Sequence, residues 1–225
     1  MSQNTLQRIL EKYDNRVIRA LIQLVPYGIG SAIDTVLIET IRDIREDRAR
    51  SFFDELSKGN VFIDESLIEN EDFIHAYFAT TKMALNSRRR EKIKMFARLL
   101  KSSIIGNGPK DSSDEYEDFL KILDELSYRE LQALAIMDGF SDTPRTAEHN
   151  DLTWTNTFWD KFVNMVELEL KIPSEEISDF MNRISRTGCY EMFTGSYFDY
   201  TGGKGKLTPI YHRLKKFIME VSNES

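Results

Sequence analysis

Cysteine is nearly absent from this chain. The single Cys189 excludes an intramolecular disulfide and any zinc site built on cysteine pairs, and it suits a reducing cytoplasm. Histidine is almost as scarce, and His75, His149 and His212 show none of the His/Cys spacings that metal sites use. There is no Gly-x-Ser-x-Gly elbow. Gly202-Gly203-Lys204-Gly205-Lys206 fails as a phosphate loop because Leu207 stands where Ser or Thr should hold magnesium. Gly28-x-Gly30 lacks the third glycine of a dinucleotide fingerprint and follows a helical pattern rather than a strand. No stretch of 18 residues is free of charge, and the longest apolar window, Ala20 to Ile41, is broken by Pro26, Gly28, Gly30 and Asp34. No N-terminal run has the apolar segment of a secretion signal. Catalytic, cofactor and metal residues are therefore assigned to none, and no small-molecule substrate is inferred. Glu148-His149-Asn150-Asp151 is the one compact polar cluster that could hide chemistry.

An excess of positive charge is missing too. The net charge is −7 over 225 residues, so binding to nucleic acid would have to come from a local basic patch. With 41% hydrophobic and 30% charged residues, the composition is that of a soluble globular protein able to bury a real core.

What is present is helical periodicity. Leu6, Ile9, Leu10, Tyr13, Val17, Leu21 and Leu24 predict a helix from Thr5 to Val25, ended at Pro26-Tyr27-Gly28-Ile29-Gly30. A second helix from Ser31 carries Ile33, Val36, Leu37, Ile41, Ile44, Phe52 and Leu56 on one side and stops at Gly59. One turn near Asp64 to Asn70 is followed by either one long helix or two, parted near Asn86, through Ile105. Gly106 to Ser113 reads as a loop, and a helix follows from Ser113 to Leu126. Ser127-Tyr128-Arg129-Glu130 is a capping box opening the helix that Gly139 stops. Ser141 to Thr155 reads as a surface loop and Asn156 to Leu170 as a helix.

Beyond Pro173, a helix capped by Ser174 runs to Thr187. Extended aromatic-rich residues from Cys189 to Tyr200 follow, then a Gly/Lys tip at 202–206, then a helix opened by Leu207-Thr208-Pro209. Helix, two-stranded ribbon, helix is how a winged-helix module ends. The expected fold class is mostly α, an N-terminal helical bundle at 1–110 joined to a winged-helix-like module with one β-hairpin at 111–225.

Two groups of cations are the candidate contacts with nucleic acid or a partner. In the module these are Arg183 and Arg186 on the helix that would enter a groove, with Lys204 and Lys206 on the wing. Glu175, Glu176 and Asp179 oppose them, and residues 171–225 hold eight Lys/Arg against seven Asp/Glu, a weak excess for a phosphate-binding surface. The second group is Arg88, Arg89, Arg90, Lys92 and Lys94, continuing to Arg98 and Lys101; seven cations face only Glu91, leaving +6. Such a helix can lie on an anionic membrane, grip nucleic acid or dock an acidic partner, while pairing with acids elsewhere in the chain is the plainer explanation. A membrane-inserting hairpin at 17–44 competes with a tight core turn, and Trp154 as a partner's anchor competes with core packing.

The stretch Pro26 to Asp34, with Arg48, Phe52 to Leu56, Lys92 to Leu100 and the ending Gly188 to Pro209, resembles uncharacterised bacterial helical proteins, some of which look like the abortive-infection alpha group associated with phage defence. That resemblance implies a cytoplasmic, non-enzymatic helical protein in stress or phage defence that senses or assembles. The function expected is protein interaction or regulation, with self-association; nucleic-acid binding and membrane association are the alternatives.

Overall fold

The computed structural model describes residue 22 and residues 35–58, 69–104, 113–146, 149–193 and 202–219. Apart from Ile22 the predicted first helix lies outside these residues, as do the turn at 26–34 and most of the 106–113 loop. Among the described residues the protein is mostly helical with one small two-stranded antiparallel hairpin near the C-terminus, the mostly α class that the sequence leads one to expect. Its contacts divide the chain into two units, residues 1–123 with 217–225, and residues 124–216.

The first unit contains α1 (Thr35–Leu56), α2 (Glu71–Asn86) and α3 (Arg90–Ile104), each packed on the other two, and most of α4 (Ser113–Glu125). The single-helix alternative for 71–105 is resolved as two helices. Asn70 opens α2 by accepting from the Phe73 amide, and Ser87 closes it, its N–H donating to the Met83 and Ala84 carbonyls. Phe52, Phe53, Tyr77 and Phe96 are fully buried between these helices, each contributing on the order of 2–3 kcal/mol. Tyr116 of α4 shares a hydrogen bond with Thr80 of α2 at 2.5 Å, and burial raises the Tyr116 hydroxyl pKa. Phe217 packs its ring on Phe119 at 5.4 Å, and Arg98 donates to the Ile218 carbonyl at 3.1 Å. These contacts tie the chain's last described residues to the helical bundle rather than to the module that the sequence assigned them to.

The second unit begins with α5 (Tyr128–Asp138), whose predicted capping box is formed in full: Ser127 accepts from the Glu130 amide and Glu130 accepts from the Ser127 amide. The stretch 141–155, expected as a surface loop, is not loop throughout. Asn150 caps a short helix, α6 (Asp151–Asn156), because its side chain accepts from both the amide and the hydroxyl of Thr153. Consequently α7 starts later than expected (Trp159–Leu170). Trp154 is no exposed anchor: its Nε1 donates to the Thr143 carbonyl, and its ring sits edge-on to Phe158 at 4.9 Å. Ser174 does not cap a helix either. Pro173 leads into a 3₁₀ turn, Ser174–Glu176, from which α8 (Ile177–Ser185) continues.

Strands β1 (Tyr190–Met192) and β2 (Gly205–Leu207) pair antiparallel, Tyr190 opposite Leu207 and Met192 opposite Gly205. The Phe193 amide extends the ladder to the Lys204 carbonyl. Lys204 and Lys206 therefore belong to the returning arm of the ribbon, not to its tip. Gly203, at φ 79°, lies so close to α8 that a Cβ there would stand 2.7 Å from the Ser178 Cα. The glycines serve close packing rather than a phosphate cradle. Thr208 opens α9 (Pro209–Ile218) by accepting from the Tyr211 amide while its own hydroxyl donates to the Gly188 carbonyl.

Candidate binding surfaces

In the first unit, α3 exposes less free charge than its sequence implies. It runs parallel to α1 with a constant offset, so each paired cation meets an acceptor 43 residues earlier. Arg90 forks onto the two carboxylate oxygens of Asp47 at 2.8 and 3.0 Å. Arg98 Nε donates to Glu55 at 2.6 Å, and Lys101 donates to the Lys58 carbonyl. Glu55 is only 3% exposed, with Lys58 Nζ 2.9 Å from its other carboxylate oxygen. Burial alone would raise the Glu55 pKa, yet hydrogen bonds from Lys58 and Arg98 bring it below the usual value. Burial lowers the Lys101 pKa, against the pull of Glu55. Lys92 lies over the Phe96 ring at 5.7 Å.

The same offset sets neutral Ser51 opposite Lys94. Among the described residues, Arg88, Arg89 and Lys94 make no hydrogen bond or ion pair through their side chains. Arg88 and Arg89 are exposed and Lys94 half-buried. The first helical bond of α3, from the Ile93 amide, is accepted by the Arg89 carbonyl at 3.0 Å, which makes Arg89 the N-cap residue.

In the second unit every expected groove contact is engaged by the protein itself. Arg183 Nε donates to Glu130 at 2.8 Å, and its guanidinium lies 5.2 Å from the Phe180 ring centroid. Glu130 is 3% exposed; burial pushes its pKa up, and the Ser127 and Arg183 hydrogen bonds more than reverse that. Arg186 pairs with Glu125 at 2.7 Å, Lys204 donates to Asn156 Oδ1 at 2.8 Å, and Lys206 reaches Asp151 at 2.8 Å and Glu191 at 3.6 Å. Hydrogen bonds from Lys206 and then Arg145 hold Asp151 below its ordinary pKa, and the Asp151 bond raises that of Lys206. The acceptors Glu130, Asp151 and Asn156 escaped sequence reading, since each lies 48 to 55 residues before its partner.

The remaining polar residues do not converge. His212 Nδ1 stands 3.8 Å from Asp138, which also takes Lys215, while His75 faces Glu117 at 3.8 Å. Cys189 is buried and its thiol pKa raised by that burial. Of the polar loop, His149 donates nothing from its buried Nδ1, and Asp151 is taken by Arg145 and Lys206. Among the described residues no three His, Cys, Asp or Glu side chains gather as a metal site would need, and no helix is long and apolar enough to cross a membrane. Comparison with family models, with curated proteins and with solved structures returns no match.

Proposed function

We propose that this protein acts by binding another protein, as a regulatory or assembling component, and that its C-terminal winged-helix-like module serves contact with protein rather than with DNA. The observation that carries this reading is the engagement of Arg183, Arg186, Lys204 and Lys206 by acceptors within their own unit. Phosphates would have to displace these acceptors, and in Arg183 would leave a buried carboxylate uncompensated. The module also exposes Met165 and Leu168 one turn apart on α7, Leu168 at 70%, and both lie beside the exposed acids Glu167 and Glu169. An apolar spot rimmed by carboxylates fits a protein surface and repels a phosphate backbone. The resemblance to abortive-infection proteins gives the expected setting, bacterial stress or phage defence in the cytoplasm.

Light scattering and gel shift test this together. The wild type is expected to form species larger than its 26.2 kDa monomer, dispersed by Leu168→Glu, and to leave a DNA duplex unretarded at physiological salt. Salt-sensitive retardation that Lys204→Glu/Lys206→Glu abolishes would establish the nucleic-acid alternative instead. Co-sedimentation with anionic vesicles would favour membrane association.

A further inference from the structure

Pairing along α1 and α3 accounts for Arg90, Arg98 and Lys101 as parts of the fold. It leaves Arg88, Arg89 and Lys94 unexplained by stability. Arg89 sits at an N-cap, where Ser, Asp or Asn would satisfy a free amide and arginine satisfies none. Arg88 and Arg89 also crowd positive charge at the positive end of the α3 dipole, where acidic residues are favoured. Local rules broken without a compensating contact are a mark of function.

We infer that Arg88, Arg89 and Lys94 form a docking surface for a short acidic segment of a protein partner. This inference is independent of the reading given for residues 124–216. Guanidinium groups are planar donors suited to carboxylates, and beside them Arg90 already holds Asp47, its Nη2 donating to both carboxylate oxygens. The surface is small and has carboxylates beside it: Glu91 follows on α3, and the 43-residue offset sets Glu46 and Asp47 of α1 opposite Arg89 and Arg90. A nucleic-acid backbone, with charge every few ångströms, would run onto those acids, whereas a segment with two or three carboxylates fits between them. On α1, Arg50 is already paired with Glu46, while the 43-residue offset sets half-buried Arg45 opposite Arg88 as a further cation.

Fluorescence anisotropy with a labelled peptide rich in Glu and Asp tests the surface in the full chain. The wild type is expected to bind it and to weaken as salt rises from about 50 to about 300 mM. Arg88→Glu/Arg89→Glu/Lys94→Glu is expected to lose at least about tenfold in affinity, while Lys161→Glu, a charge reversal on α7, leaves binding unchanged. The triple variant should melt no lower than the wild type, because acids at a helix N-terminus favour the helix. A second variant, Arg88→Ala/Arg89→Ser/Lys94→Ala, supplies a proper N-cap and separates lost binding from lost folding. Equal peptide affinity in wild type and both variants, an equal loss in Lys161→Glu, or tighter binding of a DNA duplex than of the peptide at the same salt would each overturn the inference.

Discussion

Glu130 shows how a single side chain can be read one way in sequence and act in two. As the fourth residue of Ser127-Tyr128-Arg129-Glu130 it announces a capping box, and the box is formed. Its second oxygen holds Arg183, 53 residues later, a partner that spacing cannot reveal. Because its folded pKa is depressed, this carboxylate stabilises the fold fully above the unfolded value of 4.5, and the contribution fades as pH falls through the folded value. Glu55 follows the same sign. Glu130→Gln is expected to cost about 1–2 kcal/mol at neutral pH and to flatten the loss of stability below about pH 4.5, measured by urea unfolding across pH. At Gly203 the sequence suggested a Gly/Lys tip; the backbone there approaches Ser178 at positive φ. Gly203→Ala should lower stability by about 1–3 kcal/mol, visible in denaturation and in faster amide exchange along β2.

Among the elements, α1 and α3 hold the most consequential pairing. Their periodicity made both helices legible, but the parallel alignment that joins Asp47 to Arg90 and Glu55 to Arg98 depends on how α2 returns the chain between them. Arg98 is 19% exposed and Glu55 only 3%, so this pair is far less screened than the surface pair Arg90–Asp47. Arg98→Met alone leaves the buried Glu55 carboxylate with Lys58 as its remaining ion-pair partner and is expected to cost about 1–3 kcal/mol. The double variant Arg98→Met/Glu55→Leu should recover most of that loss, and a double-mutant cycle by chemical denaturation measures the recovery. A different lesson comes from α6. Its six residues fall in a Ser/Thr/Asp-rich stretch with no apolar stripe to betray them, and the Asn150 cap with the packing of Trp154 and Thr155 makes the helix.

Across the whole molecule, charge is the property most easily misread. A net of −7 opposes polyanions, while local sums of +6 and +1 have the sign of nucleic-acid surfaces. Engagement of the module's cations leads to the expectation that duplex retardation, where forced at low salt, will show a shallow salt dependence, since few phosphates would be neutralised; a steep slope lost with Lys204 and Lys206 would count against it. The amino-acid sequence by itself determined the helical class, most helix positions, the capping box at Ser127 and the strand pair before Thr208, because periodicity, caps and turn residues act over a few neighbouring positions. Only the tertiary structure decided which cations are spent and which are free. Arg98 and Arg183 find carboxylates 43 and 53 residues away, and Arg88, Arg89 and Lys94 find none among the described residues. Electrostatic partnership is fixed by distance in space, which the order of residues along a chain does not encode.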